Sequence, residues 1–358
     1  MESKMYIPPM SNVYLNGMDA IESPRLVQLE DNIIAVVFSL MKLLPARFII
    51  ENALQRGEIR EGDTVVETSS GTFALGLAIV CNHHRLRLRI VTGESRIDPT
   101  LMWRLRDLGA EVEVLSEPDP GGGLMQKARL NRVHAILREN PSFFWPCQYD
   151  NPDNRRAYTR LAELIQRSIG SVDQIVGTVG SGGSMCGTVD ALRKSNSKLL
   201  ATGVDTLGSV LFGLKRQPKS MGGLGGAILP KNVVHSTFDL IYWISGRAAF
   251  LGARALHSKH AIFAGGTSGA AYLVAKDVAR ANPGQRIAAI FPDDGYRYVK
   301  TIYNDEWLFG EARLRRETAP TNAKLVNGPS GVRHDLQYMR WGRRTLTEVG
   351  SLEPSLEL

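Results

Sequence analysis

Apolar positions along residues 46–56 fall at Phe48, Ile49, Ala53 and Leu54, the spacing of one helical face, and Gly57 closes the stripe. A short apolar run at 64–67 then reads as a buried strand, followed by Ser69-Ser70-Gly71 and an apolar helix over 73–80. The alternation continues with a strand at 88–91, a helix at 99–108, a strand at 112–114, a glycine breaker at 121–123 and a helix through Leu137. In the second half, 174–179 reads as strand, 180–183 as a glycine loop, 185–194 as helix and 199–204 as strand. Residues 260–264, 267–279 and 286–291 read as strand, helix and strand. Strands separated by helices of roughly 10–15 residues imply βαβ units and mostly parallel sheets. Two such series predict an α/β chain of two doubly wound domains, with ligand chemistry in the interdomain cleft where loops leave the strand C-termini.

Composition narrows this picture. A chain of 358 residues with 43% hydrophobic and 22% charged residues is expected to be globular and to bury a substantial core. Its formal charge of +7 comes from clusters at 85–89, 155–160, 313–316 and 340–344. No aromatic residues interleave with a lysine-rich stripe, so anionic metabolites are the expected partners and nucleic acid is not. Cys81, Cys147 and Cys186 lie far apart without a CxxC pair, which argues against a disulfide framework or a zinc site. No signal pattern opens the chain and no apolar run approaches the ~20 residues of a membrane span. The expectation is a cytoplasmic protein acting on small molecules, with no membrane partner and no metal.

Candidate chemistry sits at three glycine- and hydroxyl-rich junctions. Gly180-Ser-Gly-Gly-Ser184 lies between strand and helix, where successive N–H groups, the helix dipole and the Ser181 and Ser184 hydroxyls can cradle a phosphate. It carries no GK[ST] and no GxGxxG spacing, and by itself it can equally be a tight turn. Glu67-Thr-Ser-Ser-Gly-Thr72 suits a carboxylate, with an ordinary N-cap as the alternative. Ala264-Gly-Gly-Thr-Ser-Gly-Ala270 has the same character.

With Lys42 ahead of these three junctions and Pro292-Asp-Asp-Gly-Tyr-Arg-Tyr298 closing the series, the chain resembles the cysteine synthase-like, fold-type II pyridoxal-5'-phosphate enzymes. The likeness spans roughly residues 15–310. Within that family the chain is similar to the branch that makes N-(2-amino-2-carboxyethyl)-L-glutamate for the siderophore staphyloferrin B. Stretches carrying this likeness include Ser116-Glu-Pro-Asp, Gly122-Gly-Leu-Met, Gln148-Tyr149, Val204-Asp-Thr-Leu-Gly-Ser, Phe263-Ala-Gly-Gly and Tyr303-Asn-Asp-Glu-Trp-Leu. The resemblance implies a tryptophan synthase β-like architecture. Residues 1–35 with 155–310 would form a larger phosphate-binding domain, 36–154 a smaller substrate-loop domain, and 311–358 a basic C-terminal tail.

The resemblance also distributes roles. Lys42 matches the lysine that holds the cofactor as a Schiff base; amid apolar neighbours its pKa is expected to fall. Taken alone, the same lysine reads as a snorkelling surface residue. Gly180, Ser181, Gly182, Gly183 and Ser184 would bind the cofactor phosphate, and Thr72 would lie beside the cofactor. Thr267, with Ser268 as the alternative, would meet the pyridine nitrogen. A neutral hydroxyl there makes the ring a weaker electron sink than an aspartate would, favouring β-elimination or β-replacement over transamination. Ser69, Ser70, Gly71, Thr72 and Gln148 would bind the amino-acid carboxylate. Arg129 and Tyr149 would bind the glutamate part, against the alternative that Arg129 sits on a solvated helix face. The chain departs from the family pattern at Thr72, where asparagine is usual, at Lys42-Leu43-Leu44, at Gly180 in place of a serine, and at Tyr158-Thr-Arg-Leu.

The expected activity is β-replacement on an activated serine, O-phospho-L-serine or O-acetyl-L-serine, by an amine such as glutamate, giving a 2,3-diaminopropionate precursor for a siderophore or peptide antibiotic. Cysteine synthase with sulfide as nucleophile, and a catalytically silent homologue acting as a binding partner, are the alternatives. The resemblance further implies a homodimer.

Overall fold

The computed structural model describes residues 13–30, 32–93, 98–116, 125–218, 221–311, 314 and 317–350. The glycine breaker at 121–123 and most of the two stretches around 116–119 and 122–125 lie outside the described residues, apart from Ser116 and Met125.

The strands among the described residues form two sheets. In chain order they are β1 (Arg25–Glu30), β2 (Ile33–Val37), β3 (Thr64–Thr68), β4 (Arg87–Gly93), β5 (Glu111–Leu115), β6 (Gln174–Thr178), β7 (Leu200–Thr206), β8 (Leu240–Ile244), β9 (Ile287–Phe291), β10 (Lys324–Leu325) and β11 (Leu336–Arg340). The larger sheet runs β1-β2-β9-β6-β7-β8-β11-β10, and the smaller runs β3-β4-β5. From β2 to β8 every pairing in the larger sheet is parallel; β1 and β11 add antiparallel neighbours at its two sides. The smaller sheet is wholly parallel.

Among the described residues eleven α-helices accompany them: α1 (Gly17–Glu22), α2 (Leu43–Gln55), α3 (Thr72–His83), α4 (Pro99–Asp107), α5 (Met125–Glu139), α6 (Asp153–Arg156), α7 (Thr159–Ile169), α8 (Gly183–Arg193), α9 (Gly246–His260), α10 (Gly266–Ala281) and α11 (Leu346–Gly350). Each sheet is covered on both faces, as parallel strands require. On the larger sheet Ile33, Ala35 and Val37 share one apolar cluster with α9 and α10, while Val36 enters the opposite cluster with α7 and α8. Tyr242 and Ile244 likewise face one side, and Ile241 and Trp243 the other, following the period of two in a strand. On the smaller sheet Val65, Leu88 and Ile90 pack with α2, α3 and α4, whereas Val66 and Val91 meet Val133 and Ile136 of α5.

One expectation from the sequence does not hold. Residues 260–264 are not a strand. Helix α9 runs through His260, Ala261 turns left-handed at φ 55°, and only Ala264 makes an isolated bridge, to Asp294. The apolar run is a connector between α9 and α10, whose backbones approach so closely that a Cβ on Gly269 would lie 2.2 Å from the Ala249 carbonyl oxygen. A short apolar run cannot be assigned by period alone, and here helix–helix packing decided it. The middle of the stretch expected as a basic C-terminal tail is ordered. Strand β11 pairs along its full length with β8, and Trp341 is fully buried in edge-to-face contact with Phe212. Asp239 ties this region down by accepting from Arg343 Nε at 2.8 Å and Arg193 Nη2 at 2.7 Å. Arg343 thus anchors the stretch to the body of the larger sheet through Asp239.

Candidate active site

Lys42 follows β2 and caps the start of α2. The backbone leading to it is clamped against the end of β9: Phe38 N donates to Phe291 O and Met41 N to Pro292 O, both at 2.9 Å. The lysine therefore emerges where two central parallel strands end. Its Nζ lies 3.2 Å from Ser181 Oγ. Burial lowers the amine's pKa from 10.5 to about 8, because the charged form loses hydration without gaining a carboxylate partner.

Ser181 belongs to the turn joining β6 to α8. Gly182 has φ +87°, a left-handed conformation, and a Cβ there would stand 2.4 Å from the Asn232 carbonyl oxygen. At Gly183 a Cβ would meet Asn154 Oδ1 at 2.2 Å. Gly182 is thus demanded by space and by backbone shape, Gly183 by space alone, and the N-terminus of α8 is left facing the cavity. Asn154 Nδ2 donates to Ser181 Oγ at 3.3 Å and to Gln148 O at 2.5 Å, joining this turn to the segment that carries Gln148.

The second junction combines both sequence readings. Ser69 Oγ accepts from Gly71 N at 3.3 Å and Ala74 N at 3.2 Å, so it caps α3 while also lining the cavity. Beneath it lies Glu67, fully buried, whose carboxyl accepts from Thr68 N (2.7 Å), Trp145 Nε1 (3.1 Å) and Gln148 N (3.1 Å). Burial raises its pKa to about 7 despite these donors and nearby Arg129. Gln148 Nε2 is held by Thr68 O at 3.1 Å. Arg129, on α5, is only 8% exposed, which removes the solvated-face reading.

Lys42, Ser69, Ser70, Gly71, Thr72 and Gln148 line one cavity of about 580 Å³. Arg129, Tyr149, Gly180, Ser181, Ser184 and Thr267 line the same cavity. Gly182 and Gly183 support its wall without lining it, and Ser268 is buried without lining it. Sequence reasoning gave no site role to several neighbours, although it named the segment 292–298. Asp293, Arg297 and Tyr298 line the cavity from the loop after β9, and Gly222, Gly223, Gly225 and Gly226 line it from a second glycine-rich loop. Arg297 Nη2 donates to Ser70 O at 2.7 Å, connecting that loop to the turn before α3. The glycine cluster at 222–226 was visible as a signal, but no strand–helix junction marked it.

A lysine amine, a glycine turn at a helix N-terminus and the Thr267 hydroxyl, around one cavity of this volume, fit pyridoxal phosphate. The turn suits its phosphate, and the amine of lowered pKa suits its aldehyde. Residues 39–293 match the family model of pyridoxal-phosphate dependent enzymes, and the chain belongs to that family. It is an enzyme with pyridoxal 5'-phosphate as cofactor, in the fold-type II architecture. It is 35% identical over 317 residues to the N-(2-amino-2-carboxyethyl)-L-glutamate synthase of Cupriavidus metallidurans, covering 83% of this chain and 92% of that protein. The synthase of the same name from Ralstonia nicotianae is 35% identical over 310 residues, covering 81% and 90%. Among solved structures, the O-acetylserine dependent cystathionine β-synthase of Helicobacter pylori matches with TM-score 0.75 at 25% identity, over 82% of this chain and 100% of that one. The cysteine synthase of Entamoeba histolytica has the same fold, with TM-score 0.77 at 24% identity over 88% and 96%. No helix among the described residues is long and apolar enough to cross a membrane.

Proposed function

We propose that this enzyme performs β-replacement on an activated L-serine, O-phosphoserine or O-acetylserine, with the amino group of glutamate as nucleophile, giving a 2,3-diaminopropionate precursor. The observation that carries this reading is a guanidinium in the wall of the reaction cavity: Arg129, 8% exposed, lining the cavity together with Tyr149. A buried arginine offers a second carboxylate a bidentate site that a sulfide nucleophile would not use. The name shared by two relatives at 35% identity supports the same reading.

In this reading the 180–184 turn holds the cofactor phosphate and Lys42 holds its aldehyde. The cofactor, when bound, supplies the electron sink that acidifies the substrate α-carbon and lets the β-substituent leave. The Ser69–Thr72 turn, at the N-terminus of α3, binds and orients the α-carboxylate. Lys42 Nζ, whose pKa desolvation lowers from 10.5 to about 8, takes the α-proton in its neutral form, which that lowering makes accessible near pH 8. Arg129 and Tyr149 align glutamate so that its amine faces the β-carbon. A homodimer is part of the proposal.

The test offers purified holoenzyme either serine ester with glutamate, with sulfide, or with both, and identifies products by mass. Formation of the glutamate adduct in the mixed reaction supports the proposal. Cysteine as sole product reassigns the enzyme as a cysteine synthase, and no turnover of either ester favours a silent binding partner. Sedimentation of the holoenzyme reads the oligomeric state.

A further inference from the structure

The Gln148 carbonyl oxygen accepts from two asparagine side chains, Asn154 Nδ2 at 2.5 Å and Asn232 Nδ2 at 3.2 Å. A carbonyl only accepts, so each amide must present its NH₂ there and neither orientation is open to choice. All three residues are buried. Both asparagines also press on the 180–184 turn. Asn154 Nδ2 reaches Ser181 Oγ at 3.3 Å, and its side chain occupies the space a Cβ on Gly183 would need. The Asn232 backbone occupies the space beside Gly182 in the same way.

The two arrive from separate segments. Asn154 lies on α6, which packs onto α8 so closely that a Cβ on Gly187 would stand 2.1 Å from the Arg155 carbonyl oxygen. Asn232 is fixed by its backbone N, which donates to Tyr149 O at 3.2 Å, and by its Nδ2, which also donates to Asn151 O at 2.9 Å. A carbonyl oxygen has two lone pairs, and here both are taken by residues that touch the phosphate turn. Gln148 and Tyr149, which line the reaction cavity, are thereby placed relative to that turn. We propose that Asn154 and Asn232 are positioning residues. Acting through the Gln148 carbonyl, they hold the segment that binds the substrate α-carboxylate in register with the turn that binds the cofactor phosphate. This rests on the roles given above to Gln148 and to the turn, and on neither the leaving group nor the nucleophile. Removing one donor leaves a buried acceptor short of a partner and frees the segment to shift, while the N–H groups at the start of α8 stay in place.

The experiment measures two dissociation constants for wild type, Asn154→Ala, Asn232→Ala and Gln148→Ala. One is that of pyridoxal phosphate for the apo-protein, by fluorescence. The other is that of L-alanine for the holoenzyme, by the change in the cofactor's visible absorbance; L-alanine carries the α-carboxylate but no leaving group. N154A and N232A are each expected to weaken L-alanine at least about tenfold and the cofactor less than about threefold. A purely structural role would weaken both together, and that result overturns the proposal. Q148A is expected to weaken L-alanine too, and adding N154A to Q148A to weaken it less than about threefold further. Fully additive losses overturn action through Gln148. An L-alanine affinity untouched by Q148A removes Gln148 from the site, and the proposal with it. N232A carries the test where N154A does not fold. Serine esters that bind without turnover would sink the β-replacement reading and leave this one standing.

Discussion

Replacing Lys42 by methionine is expected to make the cofactor-free protein more stable while abolishing its chemistry. Methionine keeps an unbranched stem of similar length, so packing changes little, but the buried amine is gone. The amine's pKa falls from 10.5 to about 8 on burial. Below pH 8 the folded protein carries the whole cost of a charged buried amine, which at ~1.4 kcal/mol per pKa unit is about 3 kcal/mol. Between pH 8 and 10.5 the unfolded chain keeps its proton while the folded chain has lost it, so raising the pH favours wild-type folding. The wild-type deficit should shrink from about 3 kcal/mol at pH 7 to about 2 at pH 9 and under about 1 at pH 10. Urea denaturation of both apo-proteins, followed by circular dichroism across this range, measures the gap directly. A K42M protein no more stable than wild type at pH 7, or a gap constant with pH, would refute the argument that this amine is desolvated without a carboxylate partner.

The Gly182→Ala variant must adopt φ +87° with its methyl 2.4 Å from the Asn232 oxygen. Left-handed backbone alone costs about 1–2 kcal/mol, so cofactor affinity should fall at least about tenfold in a fluorescence titration with helix content unchanged; undiminished affinity would deny the turn its phosphate role. For Glu67→Gln, an amide NH₂ faces one of three N–H donors, and stability should drop about 1–3 kcal/mol by denaturation. Because burial raises the Glu67 pKa from 4.5 to about 7, the folded form retains its proton where the unfolded form has lost it. Wild-type stability relative to E67Q should therefore fall as pH rises from 4.5 to 7, and a flat difference would contradict this. Trp341→Ala should cost about 3–5 kcal/mol, since the indole is fully buried; a loss below about 1 kcal/mol would return residues 336–350 to the status of an appendage.

Local signals were strongest where a strand fed directly into a glycine turn and a helix. Residues 64–83 and 174–193 could be read from the chain because apolar period, breaker and N-terminal helix signal agree there, and the structure places the turns as those signals indicate. Strand β8 and helix α9 went unread: Leu240-Ile-Tyr-Trp-Ile244 is apolar on both faces, with no alternation to mark it. The N-terminal pair β1 and β2 was also unread, because an antiparallel edge ahead of the first βαβ unit leaves no helical spacing to count.

While Lys42 was marked only by the family resemblance, the order of residues by itself determined an alternating α/β chain and two glycine turns suited to a phosphate and a carboxylate. Those depend on local backbone geometry, which neighbouring residues largely dictate. Only the tertiary structure decided that Asn154 and Asn232 meet at the Gln148 carbonyl oxygen and that Arg297 reaches Ser70 across 227 positions. It also decided that Arg129 is buried in the cavity wall and that an arginine-rich C-terminal stretch completes the larger sheet. Burial and charge pairing at such separations arise from how the two sheets pack, and no local spacing encodes them.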